Sequence, residues 1–170
     1  MPIATPLSDR TDVAPVPYTS GNEKTDRALP AKKGGFPQMS IGAVLVVEDE
    51  TMILLDLESA LEEAGFQVVG VGTAAEAITA FDADPGNFKA LLSDIRLGPG
   101  LSGWEVARHV RQTNSTIPVV YVSGDSAGQW GAEGVPNSIM ISKPFFLPQV
   151  ITAISTLLNE QSTSDAGTQS

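Results

Sequence analysis

The chain has 170 residues, no cysteine and a formal net charge of −10. This length suits one domain with a sizeable core, and the lack of cysteine excludes disulfides and thiolate metal sites. No apolar run is long enough to cross a membrane, and the N-terminus lacks the apolar core of a signal peptide. We therefore expect a soluble, cytoplasmic protein that does not bind membranes.

The negative charge is concentrated in the central part of the chain. Residues 1–40 carry a net charge of +1, whereas residues 41–159 hold five basic and fourteen acidic side chains, a net charge of −9. Direct binding to nucleic acid depends on neutralising phosphates with Lys and Arg, so a nucleic-acid partner is not expected. Part of the acidity could instead belong to a cation site.

Composition divides the chain into three parts. Residues 1–40 contain half of the 12 prolines and no sustained apolar period, which predicts a disordered N-terminal extension. The patterned domain covers residues 41–159, and the polar residues 160–170 predict a disordered C-terminal tail. Met39 lies just before the domain, so translation could start at Met1 or at Met39.

Short apolar runs alternate with helical patterns from Gly42 onward, in the order strand, helix, five times. The predicted strands are 43–47, 66–71, 90–94, 118–122 and 138–142. The predicted helices are 51–64, 74–81, 103–112 and 147–158, with only a short or loose helix within 125–137. This alternation is typical of an α/β fold with parallel strands, right-handed crossovers and helices on both faces of the sheet.

Four of the five predicted strands end in a polar group. These groups are Glu48-Asp49, Asp94, Ser123 and Lys143. Because ligands of open α/β sheets bind beyond the carboxyl ends of the strands, we expect these side chains to share one crevice. Carboxylates placed together repel each other and require a cation, and an all-oxygen ligand set suits Mg²⁺.

The combination of carboxylates, Mg²⁺, Lys and a hydroxyl describes a site that receives a phosphoryl group. Asp94 would be the nucleophile, because a carboxylate can form an aspartyl-phosphate. Mg²⁺ and Lys143 would stabilise charge on the transferring oxygens, and the Ser123 hydroxyl could donate a hydrogen bond to one of them.

This set of residues resembles the receiver domain of two-component response regulators over about residues 42–158. The resemblance implies a flavodoxin-like (βα)5 doubly wound parallel sheet with strand order 2-1-3-4-5. It also implies that Mg²⁺ is bound by Asp49, Asp94 and the backbone carbonyl of Arg96, with Glu48 acting largely through water. A receiver is a phosphoacceptor signalling protein that catalyses only its own phosphorylation and dephosphorylation, and is not otherwise an enzyme.

The resemblance also implies partners. Asp94 would receive the phosphoryl group from a histidine kinase or a histidine phosphotransfer protein, docked at Met52, Leu55, Pro144 and Phe145. No output domain fits in the eleven residues after Asn159. We therefore expect a single-domain regulator, a monomer or weak dimer, that contacts an unknown downstream protein or drains phosphate from a shared kinase.

One position departs from the family pattern. Receivers typically carry an aromatic switch residue three positions before the Lys, and Met140 occupies that place here. Methionine can fill the same space, but it has neither a ring nor a hydroxyl. The alternative function is therefore a phosphorylation-independent interaction module with the same fold.

Two further interpretations remain less well supported. Residues 70–75 match G-x-G-x-x-A between a strand and a helix, as in dinucleotide-binding folds. That interpretation leaves the polar strand ends without a role, and the fingerprint normally opens the first βα unit. An aspartyl-phosphate hydrolase is disfavoured because Asp94-Ile95-Arg96 lacks a second acid to act as general acid or base.

Overall fold

The computed structural model describes residues 42–167. Five strands and five helices alternate along this part of the chain, with 3₁₀ turns at Pro85–Asn87 and Ala127–Gln129. The strands are β1 (Ala43–Val47), β2 (Val68–Val71), β3 (Phe88–Asp94), β4 (Val119–Ser123) and β5 (Ser138–Ser142). The helices are α1 (Thr51–Glu63), α2 (Ala74–Ala83), α3 (Gly103–Thr113), α4 (Trp130–Glu133) and α5 (Leu147–Ala166).

The strands form one parallel sheet in the order β2-β1-β3-β4-β5. The predicted fold class and strand order are therefore confirmed. The order reverses between β1 and β3, which is where open α/β sheets place their ligand crevice. The carboxyl ends of β1 and β3 are consequently neighbours, with Val47 opposite Ser93.

Two apolar clusters cover the two faces of the sheet. Along β1, Leu45 and Val47 belong to the cluster beneath α2 and α3, whereas Val44 and Val46 belong to the cluster beneath α1 and α5. Because successive strand residues point to opposite faces, a strand buried on both sides must be apolar at every position. This requirement explains why β1 and β4 are continuous apolar runs until they reach the sheet edge.

The C-terminal helix is longer than predicted. We expected residues 160–170 to be a disordered tail, but α5 continues to Ala166. Gln161 donates from its amide to Thr116 Oγ1 at 3.2 Å, and the hydroxyls of Ser162 and Thr163 donate to main-chain carbonyls of the same helix. The residues of the last two turns are mostly polar and follow no apolar period, so hydrophobic patterning alone could not reveal this part of the helix.

The predictions for residues 1–40, including the alternative start at Met39, lie outside the described residues. Among residues 42–167, no helix is both long and apolar enough to span a membrane.

Candidate functional site

Three carboxylates converge at the carboxyl edge of the sheet. Glu48 and Asp49 follow β1 directly, and Asp94 is the last residue of β3. One carboxylate oxygen from each of the three lies within 4.8 Å of the others. Glu48 and Asp94 are buried, whereas Asp49 is exposed to solvent. Sequence reasoning predicted this convergence, and the parallel register of the central strands produces it.

Lys143 links two of these carboxylates. Its Nζ donates to Asp94 Oδ2 at 2.7 Å and to Glu48 Oε2 at 3.0 Å, and the side chain is 19% exposed. The backbone N–H of Lys143 donates to the carbonyl of Ser123 at 2.8 Å, which fixes the end of β5 beside the end of β4. Burial lowers the pKa of Lys143, but the hydrogen bonds to Asp94 and Glu48 outweigh it and raise that pKa overall. The group is therefore a fixed ammonium at neutral pH.

Glu48 is more deeply placed than its sequence position suggested. It is 1% exposed, and its Oε1 accepts the backbone N–H of Glu50 at 3.1 Å. Burial raises its pKa to about 6, against the lowering effect of the bond from Lys143. Predicted as a metal residue that acts through water, Glu48 is also a direct partner of Lys143 in this structure.

Asp94 is held on both sides of its carboxylate and through its backbone. Oδ1 accepts the backbone N–H of Arg96 at 3.1 Å, while the Ser93 hydroxyl donates to the Asp94 carbonyl at 2.7 Å. Gly103 opens α3 so close to this backbone that a Cβ there would lie 2.1 Å from the Asp94 carbonyl oxygen. Any side chain at position 103 would therefore push α3 away from the end of β3. The close approach makes Gly103 a supporting residue that sequence reasoning did not identify.

Ser123 lies at the end of β4, as predicted, and is 1% exposed. Its Oγ accepts the backbone N–H of Ser126 at 2.9 Å. A hydroxyl that accepts one hydrogen bond can still donate its own proton. The Ser123 O–H is therefore available to an acceptor at the sheet edge.

Met140 lies on the edge strand β5 and is partly buried next to Tyr121. The two residues are paired across β5 and β4, and both pack in the cluster beneath α2 and α3. Tyr121 is fully buried, its ring packs edge-on against Trp104, and its hydroxyl accepts the backbone N–H of Val135 at 3.2 Å. A thioether and a tyrosine whose hydroxyl is already hydrogen-bonded therefore lie side by side on this face of the sheet.

The predicted docking residues lie on the same end of the molecule as Asp94. Met52 and Leu55 on α1 are 71% and 50% exposed. Pro144 and Phe145 line a groove of about 510 Å³ together with Ile53, Asp56, Lys143 and Leu147. Phe146, which sequence reasoning missed, is 77% exposed beside this groove. Phe145 packs against the cluster beneath α1 and α5, whereas Phe146 does not, and the sequence shows only that the two rings are adjacent.

The G-x-G-x-x-A segment does not form an anion site. The Gly72 backbone N–H, which a bound phosphate would need, donates to Glu76 Oε2 at 3.1 Å. Thr73 caps α2 by accepting the Glu76 backbone N–H at 3.2 Å. The Glu76 carboxylate beside the Gly72 N–H would repel a pyrophosphate. The segment instead joins the edge strand β2 to α2 and caps the start of that helix.

The chemistry of the carboxylate cluster fits a divalent metal ion. Its donors are all oxygens, and three carboxylates against one ammonium leave two formal negative charges. Hard oxygen donors and a double negative charge match the requirements of Mg²⁺. Glu48, Asp49 and Asp94 are therefore the residues that could hold such an ion.

Comparison with known proteins agrees with this geometry. The family profile of the response regulator receiver domain matches residues 44–155. A solved response regulator receiver protein from Sinorhizobium medicae WSM419 is 42% identical, with a TM-score of 0.67 over 69% of this chain and 94% of that one.

Two curated relatives show the same similarity inside longer proteins. The uncharacterized transcriptional regulatory protein YkoG of Bacillus subtilis is 31% identical over 76% of this chain and 58% of its own length. The sensor kinase CckA of Brucella abortus is 28% identical over 69% of this chain but only 13% of its own length. This chain therefore spans little more than half of YkoG and a small part of CckA. With the family profile, the fold and the strand-end residues in agreement, the chain belongs to the response regulator receiver domain family.

Proposed function

We propose that this protein accepts a phosphoryl group on Asp94 in a Mg²⁺-dependent reaction and signals through protein–protein contact. The observation that carries the proposal is the bond from the Lys143 ammonium to Asp94 Oδ2, beside two further carboxylates. This arrangement holds one carboxylate at the edge of a crevice, with a fixed cation next to the place where phosphoryl oxygens would develop charge.

The metal would be held by Asp49, Asp94 and the backbone carbonyl of Arg96, with Glu48 acting through water. When bound, Mg²⁺ would neutralise charge on the transferring phosphoryl oxygens. The protein supplies the rest of the electrostatics through Lys143. Because Lys143 already contacts Glu48 and Asp94, it would move only a short distance to reach a phosphoryl oxygen.

The transfer itself is a displacement at phosphorus. An Asp94 carboxylate oxygen attacks the phosphorus of a donor phosphohistidine, a new O–P bond forms, and the P–N bond breaks with its electron pair left on the imidazole nitrogen. The imidazole then takes a proton from water. Ser123 would donate its O–H to a phosphoryl oxygen while its Oγ continues to accept the Ser126 N–H.

A histidine kinase or a histidine phosphotransfer protein would be the donor. Met52 and Leu55 are exposed on α1, and Pro144 and Phe145 line a groove that includes Lys143, the partner of Asp94; a helix carrying the phosphohistidine would dock on these residues. Exposed apolar side chains grouped in this way are typical of interaction sites. The similarity to part of a sensor kinase is consistent with a partner of this class.

The output would be contact with a downstream protein or drainage of phosphate from a shared kinase. The net charge of −9 over residues 41–159 argues against direct binding of nucleic acid. The single-domain organisation stays a prediction, because the chain covers only part of the curated relatives that it matches.

Mass spectrometry after incubation with Mg²⁺ and acetyl phosphate tests the core of the proposal. We expect one acid-labile phosphate adduct on the wild type and none on Asp94→Asn. Asp84→Asn, an exposed acid at the end of α2, is the matched control and should keep the adduct. A wild type without an adduct, or an Asp94→Asn variant with an undiminished one, would refute it.

Met140 favours one alternative, a phosphorylation-independent interaction module. In that case the packing of Met140 and Tyr121 in the cluster beneath α2 and α3 would not change when the site is occupied. Amide exchange with and without Mg²⁺ and beryllofluoride distinguishes the two. Unchanged protection around α4 and β5, with beryllofluoride demonstrably bound, would support the alternative.

A further inference from the structure

A continuous chain of polar contacts connects Asp94 to the loop after β4. The Arg96 backbone N–H binds Asp94 Oδ1, and the Arg96 guanidinium forms an ion pair with Asp125 Oδ2 at 2.6 Å. Asp125 Oδ1 accepts the Ser126 hydroxyl at 3.2 Å, and the Ser126 backbone N–H returns to Ser123 Oγ at 2.9 Å. Both loops that flank the acceptor are therefore joined through one exposed ion pair.

We propose that Arg96 is a second cationic ligand of the phosphoryl group, opposite Lys143, and that it leaves Asp125 when Asp94 is phosphorylated. The inference rests on the proposed phosphorylation of Asp94. It assigns to the Arg96 side chain a role separate from that of its backbone carbonyl. It also assigns to Asp125 the role of the partner that holds Arg96 in the unphosphorylated state.

Charge is the first reason for the exchange. The carboxylates and Lys143 leave two formal negative charges, which a divalent metal ion would neutralise. Phosphorylation replaces the single charge of the Asp94 carboxylate with a phosphoryl charge of about −2. The site then carries about one excess negative charge, and Arg96 is attached to the backbone beside it.

Mobility and geometry are the second reason. The side chains of Arg96 and Asp125 are 73% and 54% exposed, so the pair is weakly held by its surroundings. A guanidinium binds a phosphate through two parallel N–H donors and is favoured over a carboxylate contact by the larger charge. The Arg96 N–H bond to Asp94 Oδ1 keeps the guanidinium within one side-chain length of the acceptor.

Release of Asp125 would loosen the loop that leads to α4. Ser126 binds both Asp125 and Ser123, and the Gln129 backbone N–H donates to the Ser126 carbonyl at 3.0 Å. When Asp125 loses Arg96, the ion pair that joins this loop to the loop after β3 is broken, while the Ser126 N–H keeps its bond to Ser123 Oγ. This route carries a signal from Asp94 to α4 without requiring an aromatic residue at position 140.

Beryllofluoride titrations in the presence of saturating Mg²⁺ test the exchange, with full-length protein and fluorine NMR as the readout of bound ligand. Arg96→Gln should weaken beryllofluoride binding by roughly threefold, and Asp125→Asn should strengthen it by roughly threefold, as exposed ion-pair energies imply. Arg108→Gln and Glu133→Gln are matched controls, because they break another exposed ion pair, between α3 and α4. Neither control should change the affinity.

The double variant Arg96→Gln/Asp125→Asn separates the exchange from simple charge removal. If Asp125 acts by holding Arg96, the double variant should bind beryllofluoride as weakly as Arg96→Gln alone. If Asp125→Asn strengthens binding equally in the Arg96→Gln background, Asp125 acts directly on the ligand and the proposal is wrong. An Arg96→Gln variant with wild-type affinity also overturns it.

Amide exchange provides the second readout. Without ligand, both single variants should exchange faster than the wild type over residues 124–129, and beryllofluoride should produce this faster exchange in the wild type. If the wild type binds beryllofluoride but amide exchange over residues 124–129 does not change, the inference about Arg96 is wrong and the proposed function still stands. If the wild type binds no beryllofluoride, or binds it no more tightly than the Asp94→Asn variant does, the proposed function is wrong as well.

Discussion

Lys143→Met tests the electrostatic centre of the site most directly. In the wild type, Lys143 Nζ lies 2.7 Å from Asp94 Oδ2 and 3.0 Å from Glu48 Oε2. Methionine matches the length of the lysine stem but leaves two buried carboxylates without their shared cation. Removing one partner of a buried ion pair costs about 3–5 kcal/mol. Because Lys143 is partly exposed, we expect a loss near the lower end, about 3 kcal/mol of the free energy of unfolding.

The loss should depend on metal and on pH. Urea unfolding, followed by circular dichroism at pH 7.5 in a chelator, measures the full effect, and saturating Mg²⁺ should reduce it because a divalent cation binds the more negative site more tightly. The loss should also shrink below pH 6. Without the hydrogen bond from Lys143 the pKa of Glu48 rises above about 6, so protonation removes the unpaired charge as the pH falls.

Lys89→Met is the matched control, because Lys89 is exposed on β3 and surface substitutions usually change stability by less than about 0.5 kcal/mol. A Lys143→Met variant that loses under about 1 kcal/mol in chelator would contradict the reasoning. So would a loss that is the same with and without Mg²⁺ and at pH 5 and pH 7.5.

Four other substitutions give separate tests. Burial raises the pKa of Glu48 to about 6, so in chelator the wild type should lose up to about 2 kcal/mol of unfolding free energy as the pH rises from 4.5 to 7. The Glu48→Gln variant should not show this decline. Tyr121→Phe should cost about 1–2 kcal/mol by leaving the Val135 N–H unpaired. Since burial raises the Tyr121 pKa, the wild type should also lose stability above pH 10 more steeply than this variant, as parallel urea titrations would show. Gly124→Val should slow loss of the Asp94 phosphate, because a Cβ there meets no atom within 4 Å and would narrow the path for water; an unchanged half-life would argue against this. Phe146→Ala should lower kcat/KM for phosphotransfer from a kinase without changing the unfolding midpoint, because the ring is 77% exposed; equal rates would exclude Phe146 from docking.

The sequence predicted the fold because its signals are local and periodic. Apolar runs at β1, β3 and β4 are buried on both faces, and each ends at a polar residue that marks the sheet edge. The boundaries were less certain where side-chain hydrogen bonds replace apolar contacts. The last turns of α5 are the clearest case, since Ser162 and Thr163 bond to the backbone of their own helix.

Residue types at the strand ends were enough to predict which side chains converge. They were not enough to predict which hydrogen bonds these side chains make, because each bond depends on how deeply the side chain is buried. Glu48 and Asp49 are adjacent in sequence, yet one is 1% exposed and the other faces solvent. Of these two carboxylates, only the buried Glu48 meets Lys143, and burial raises the pKa of Glu48 against the lowering effect of that bond.

The sequence by itself determined the α/β fold, the strand ends and the position of Asp94 at the sheet edge, because alternation and strand termination are properties of neighbouring residues. Only the tertiary structure decided the contacts that join separate segments. Lys143 reaches Glu48 across 95 residues of chain, and Arg96 meets Asp125 between two different loops. Such contacts depend on the register of the sheet and on loop paths in three dimensions, and no local pattern records them.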